Sequence, residues 1–269
     1  MEQHARLVGC NSKEEAYYFP EDVDMGRAPE TYFGVHPYIA REKKYEVLLP
    51  HLYDWKDDAI LQHSRAFKQL PGDGFHVPAG TLHAPGSALT IELQEDSDVF
   101  AMLQARVGAV KISKDLLFKD IRPEDREAYG EKIILEIVDW NINGDPFFYE
   151  NRHTPPRLIE ESKQAGAEEY WIFYNTLKFS GKRLIVKPGR VYNSVEPGAH
   201  NVLVWRGKGL IGNVSVEGEN PEKDELFISA DRSREGVEVR NTHRRDMIIY
   251  KFFGPDIQSD IPMLELYGD

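Results

Sequence analysis

Over residues 88–103 apolar and polar positions trade places: Leu89, Ile91 and Leu93 alternate with Thr90, Glu92 and Gln94. A period of two puts the two sets on opposite faces of an extended segment, so the pattern predicts one long strand. Ahead of it, Gly72-Asp73-Gly74 predicts a turn and Phe75-His76-Val77 a short strand stopped by Pro78, with His76 facing outward. Ala79-Gly80 turns the chain again, and His83 stands just before the Pro85-Gly86 turn. Upstream, residues 12–19 read as a strand with Lys13, Glu15 and Tyr17 on one face, and residues 31–35 as another. Residues 2–8 read as the end of a helix closed by Gly9.

Between residues 40 and 68 the spacing changes. Leu48, Leu49, Leu52, Ile60, Leu61 and Phe67 fit one or two short amphipathic helices, with Pro50 at a first turn or a break and with His51 and His63 at the surface. Residues 131–140 fit a helix that buries Ile133, Ile134, Ile137 and Val138, and residues 145–156 an aromatic and polar loop ended by paired prolines. Residues 162–169 are small and polar, as in a flexible connector. From Tyr170 onward short strands follow one another, separated by Gly and Pro turns, which predicts a sandwich or barrel. His200 opens one of these strands and reads as a loop residue.

The remaining properties narrow the class. The chain has 269 residues, 41% hydrophobic, with no apolar run long enough to span a bilayer. Its formal net charge of −12 argues against nucleic acid as the main partner and leaves room for a local basic pocket. A single cysteine, Cys10, cannot form an internal disulfide, which fits a reducing compartment, most simply the cytoplasm. There is no HxH, CxxC or HExxH. His83 with Glu15 would supply one nitrogen and one oxygen ligand, a pair that suits zinc, manganese or iron and needs further partners, for which His4 and His76 are the positional candidates.

Gly72-Asp73, Val77-Pro78-Ala79-Gly80-Thr81-Leu82-His83-Ala84 and Glu92-Leu93-Gln94-Glu95-Asp96-Ser97-Asp98 together resemble the central segment of the type I mannose-6-phosphate isomerases, which are cupins. Lys13-Glu14-Glu15-Ala16-Tyr17-Tyr18 resembles the same family's Lys-Thr-Glu-(any)-Trp-Tyr strand, in the same order and with a helical insertion between the two. The resemblance implies a mainly β chain of two cupin (jelly-roll) β-barrels. The expected parts are residues 1–105 as an N-terminal barrel with a helical insertion near 40–68, 106–168 as a helical and loop connector, and 169–269 as a C-terminal cupin-like barrel.

Carried over residue by residue, the resemblance implies a divalent metal, most simply zinc, held by Glu15 and His83. The family's other two ligands come from a Gln-x-His-Pro motif that this sequence lacks: the metal is absent, His4 substitutes, or a preceding segment carries the motif, and the last is the expectation. The implied activity is metal-dependent aldose–ketose isomerisation of a sugar or sugar phosphate, with Lys13, Glu92 and Arg152 in catalysis and Thr90, Gln94 and Asn151 against the substrate. One departure opens an alternative. Met102 stands where the family has an arginine implicated in catalysis, with Arg106 and Arg152 as possible replacements. A cupin that binds sugar without isomerising it is the second expectation, and a different metal-cupin reaction such as epimerisation or oxygenation the third.

Overall fold

The computed structural model describes residues 2–164 and 166–268. They form two compact units: residues 2–71, 77–152 and 266–268 make the first, and 72–76 with 153–164 and 166–265 the second. The stretch expected as a connector divides between them, 106–152 in the first unit and 153–168 in the second.

In the first unit, β1 (Glu15–Tyr18) is buried throughout. β2 (Glu30–Val35) pairs antiparallel with β3 (Ser64–Lys68) on one side and with β5 (His83–Ala84) on the other, while residues 74–76 of β4 (Gly74–Val77) belong to the second unit. β6 (Ile91–Gln94) pairs antiparallel with β1, in the register Glu15 to Gln94 and Tyr17 to Glu92. The strand predicted over 88–103 is therefore four residues long, and its continuation is irregular apart from a small hairpin of β7 (Arg106–Val107) and β8 (Val110–Lys111). The helical insertion is present as short turns over residues 39–54 and 59–63. Pro50 sits in the first turn of Leu49–Asp54, where its missing N–H costs nothing, and Leu48, Leu49, Leu52 and Ile60 enter the core. Residues 64–68 leave the helical pattern because Phe67, stacked near Phe33 and Phe148, takes the period of a strand paired with β2.

Gly34 is the tight point of this unit. Its φ of +61° breaks the register of β2, and a Cβ there would strike the Asn143 carbonyl and the Arg65 guanidinium. The Gly34 N–H donates to the Leu82 carbonyl at 2.7 Å, next to His83. Asn143, fully buried, completes the clamp: its Oδ1 accepts from Leu82 N at 2.7 Å and its Nδ2 donates to the Gly80 and Asp139 carbonyls, both at 2.7 Å.

The second unit is built from two sheets. One has six strands in the order β16-β13-β18-β11-β10-β9: β9 (Arg157–Gln164), β10 (Ala167–Phe173), β11 (Ser180–Val186), β13 (His200–Arg206), β16 (Glu225–Ile228) and β18 (Met247–Phe253). The other has four in the order β12-β17-β14-β15: β12 (Val191–Ser194), β14 (Lys208–Ile211), β15 (Val214–Glu217) and β17 (Val237–Asn241). Leu184, Val186, Val204 and Ile249 from the first sheet and Tyr192, Ile211, Val216 and Val239 from the second share one core. Residues 162–164 and 167–169, expected in a loose linker, lie in the paired strands β9 and β10, and the Ser162 hydroxyl accepts from Glu169 N at 3.0 Å. His76 is buried rather than outward, its Nδ1 3.2 Å from Asn175 Nδ2.

Candidate functional site

The alternation of β1 and its register with β6 put Glu15 and Tyr17 on one face, across from Gln94 and Glu92, with Lys13 just ahead of the strand. β5 brings His83 to the same place. Glu15 is the centre of the group. Its Oε1 accepts from Lys13 Nζ at 2.7 Å, while its Oε2 accepts from the Tyr17 hydroxyl at 3.0 Å and lies 3.2 Å from His83 Nε2.

The histidine's protonation follows from its partners. Nδ1 sits 2.9 Å from the Thr81 carbonyl, which only accepts, so Nδ1 carries a proton. Nε2 then faces a carboxylate oxygen, which also only accepts. That contact is attractive only with a second proton on the ring or a cation between the two atoms. Burial pulls the His83 pKa down, but the Glu15 hydrogen bond and charge outweigh it and leave it above the ordinary value. The ring is still 27% exposed, so solvent reaches it.

The two carboxylates of the group are pushed apart. Burial raises the Glu15 pKa, but His83 and then Lys13 prevail and hold it at about 2. Glu92 goes the other way, raised by partial burial and by the Glu15 charge, with Lys13 and His83 opposing. Glu15 is thus a permanent anion, and Glu92 is the carboxylate available to take a proton. Tyr17 is driven well above the usual phenol range by burial and by the Glu15 and Glu92 charges, so it stays a donor.

The other candidates are held by contacts of their own. Thr90 precedes β6, its hydroxyl on its own Ala88 carbonyl at 3.2 Å, and Gln94 Nε2 donates to the Ser97 carbonyl at 3.2 Å. Asn151 ties down the tail, donating to Asp145 Oδ2 at 2.8 Å and to the Tyr267 carbonyl at 3.2 Å and accepting from Tyr267 N at 2.7 Å. Arg152 is lowered by burial and feels Asp145, Glu14 and Asp139, the residue Glu14 alternating away from Glu15 along the chain. Arg106 donates to the Ala109 carbonyl of its own hairpin, and Met102 N donates to Leu116 O. His4 Nε2 lies 2.9 Å from the Asp120 carbonyl. The cations that act on Glu15 and Glu92 are Lys13 and His83.

As metal ligands, His83 Nε2 and Glu15 Oε2 fit in type and in mutual distance. They supply two positions, and among the described residues no group of three or more His, Cys, Asp or Glu side chains comes together to hold an ion. Tyr17, Thr81 and Asn143 have functional or positioning contacts that the sequence reading did not assign. Only Tyr17 left a signal, by sharing the period-two face of Lys13 and Glu15.

No family model matches the chain, and no curated protein matches it. Solved structures do. The mannose 6-phosphate isomerase from Bacillus subtilis superposes with a TM-score of 0.62 at 17% identity, over 93% of this chain and 68% of that one. A mutant phosphomannose isomerase from Salmonella typhimurium superposes with a TM-score of 0.59 at 10% identity, over 91% of this chain and 68% of that one. This chain spans about two thirds of the length of each. It has the mainly β, cupin-type fold of the mannose-6-phosphate isomerases.

Proposed function

We propose that the protein is an aldose–ketose isomerase acting on a sugar or sugar phosphate, with Glu15 and His83 as its two side-chain ligands to a divalent cation, most simply zinc. The observation that carries this is the contact of His83 Nε2 with Glu15 Oε2 at 3.2 Å, two acceptor atoms that call for a proton or a cation between them. When bound, such an ion polarises the carbonyl and hydroxyl oxygens of the sugar. The chain's own residues do the rest. Lys13 keeps Glu15 ionised and adds a positive charge beside the oxygen that gains negative character. Glu92, with its raised pKa, moves the proton between the adjacent carbons. Tyr17 and Thr81 orient Glu15 and His83. Gln94 and Thr90, on the polar side of β6, are the candidates to meet the sugar hydroxyls, and Arg152 and Asn151 remain candidates on a neighbouring helix, Phe148–Arg152. The acidic net charge favours a small molecule over nucleic acid, no helix among the described residues is long and apolar enough to cross a membrane, and the lone, exposed Cys10 suits the cytoplasm.

Purified protein assayed for metal content and for interconversion of mannose 6-phosphate with its ketose tests this. Bound metal with turnover that disappears in Glu15→Ala and His83→Ala supports it. A second reading, sugar binding without isomerisation, is favoured by one observation: no arginine is among the charges acting on Glu15 and Glu92. A protein that binds the sugar, holds no metal and turns nothing over selects that reading instead.

A further inference from the structure

The interior of the second unit is apolar at one end and charged at the other. Along β11, Leu184 and Val186 face inward at the apolar end and Lys182 at the other; along β18, Met247 and Ile249 are followed by Lys251. β10 adds Glu169 and Trp171, β13 adds His200, and β12 with its following turn adds Ser194 and Glu196. None of Glu169, Lys182, Ser194, Glu196, His200 or Lys251 exceeds 7% exposure. Lys182 and Lys251 are direct cross-strand neighbours, a repulsive placement. Glu196 bridges them, accepting from Lys251 at 2.9 Å and from Lys182 at 2.8 Å. Lys251 also donates to Glu169 and, at 2.6 Å, to Ser194.

Such a cluster is not needed for stability, since well-packed apolar residues of similar volume do as well or better. Two of its members have unused capacity. Lys251 has three acceptors for its three N–H groups, whereas Lys182 donates to Glu196 alone and otherwise lies 4.6 Å over the Trp171 ring. His200 Nδ1 is 3.2 Å from the Gly198 carbonyl, which only accepts, and 3.1 Å from the Ser233 hydroxyl, which accepts as well as donates; the carbonyl contact is attractive only with the proton on Nδ1. That leaves Nε2 as an acceptor, and it is buried without a partner. Burial lowers the ring's pKa below its ordinary value, with Lys251 and Lys182 acting the same way and the Gly198 contact and Glu196 opposing. Both His200 and Lys182 lie against Phe253, at 5.0 and 5.4 Å from its ring.

We propose that this end of the second unit is a binding site for a small, neutral, polyhydroxylated molecule, a polyol or unphosphorylated sugar, read by His200 Nε2 and Lys182 Nζ. A hydroxyl both donates and accepts, and neighbouring hydroxyls match an acceptor lone pair beside an ammonium, with Trp171 and Phe253 as the apolar walls. An anion does not match, because the two ammonium groups are already balanced by two carboxylates. A metal ion does not match either, because no three ligating side chains converge among the described residues. The segment after β18 closes the site: Gln258 Nε2 donates to Glu196 at 2.7 Å, and a Cβ on Gly198 would meet Ile257.

Histidine-labelled protein titrated with D-mannitol, followed by the ring-nitrogen NMR resonances of His200, tests the site. Mannitol has no carbonyl, so it reports binding independently of any isomerase activity. The expected result is a saturable shift of the unprotonated Nε2 resonance that persists in His83→Ala, with an affinity, read by isothermal titration calorimetry, that weakens about tenfold in His200→Gln. Lys182→Met is a second probe, its fold checked by circular dichroism, with the same weakening expected. A protonated Nε2, no saturable shift, a shift lost in His83→Ala, or a calorimetric affinity unchanged in His200→Gln each overturns the proposal.

Discussion

Lys251→Met removes one ammonium from the second unit and leaves its acceptors in place. Lys251 is 2% exposed and joins Glu169, Ser194 and Glu196, so the variant strands Glu169 with only the Tyr192 phenol and leaves Glu196 to Lys182 and Gln258. Removing one partner of a buried ion pair costs about 3–5 kcal/mol, because the remaining charge stays buried without compensation. Met fills most of the lysine stem's volume, so little of that loss comes from a cavity. The sign of the pH dependence separates this from a packing defect. In the native protein Glu196 lies well below the ordinary carboxylate range: burial raises it, and Lys251 and then Lys182 prevail. Its contribution is present above the unfolded pKa and is lost as the pH falls through the folded one. In Lys251→Met two buried carboxylates share one ammonium, so the folded protein takes up a proton on acidification and the penalty shrinks. Urea unfolding at pH 7 and pH 5 should show a deficit of about 3–5 kcal/mol at the higher pH that narrows at the lower. A deficit under about 1 kcal/mol at pH 7, or one of the same size at both, would refute the uncompensated-charge argument.

Asn143→Ala removes three hydrogen bonds from the clamp on residues 80–82 and should cost about 2–3 kcal/mol in thermal or urea unfolding, with His83 exchange broadening in NMR spectra. Glu92→Gln should lower kcat about 100-fold or more while leaving metal content unchanged, since Glu92 is the proposed base and not a ligand; equal kcat in the variant removes it from that role. In chelator-treated protein, Glu15→Gln should lower the His83 pKa relative to the native protein, because the Glu15 bond and charge that raise it are gone, and an NMR titration that leaves it unchanged contradicts the pairing. Replacing Glu169, Lys182, Glu196 and Lys251 together by apolar residues of similar size should restore most of the stability lost in Lys251→Met while abolishing the mannitol response.

The first site was legible and the second was not, and the difference is physical. Lys13, Glu15 and Tyr17, like Glu92 and Gln94, sit at period two, and a period fixes which side chains share a face whatever the strand pairs with. What the period cannot fix is length: residues 95–103 keep enough alternation to look extended, yet past Gln94 the chain has no strand partner. Nor can it find a clamp such as Asn143, whose three backbone partners lie 4 to 63 residues away. In the second unit, Lys182 and Lys251 stand in strands whose neighbours on both sides are apolar or charged, so a polar position there reads as the solvent face. It is the reverse: Lys182, Lys251 and Glu169 take the inward positions of β11, β18 and β10, and Glu196, from a turn, joins Glu169 in balancing the two ammonium groups. Four buried charges that neutralise one another leave no trace in hydropathy, because each looks like an ordinary surface residue until its partners are known. Their inward placement costs desolvation that the fold alone does not require, which is why the unpartnered His200 Nε2 among them argues for a ligand rather than for structure.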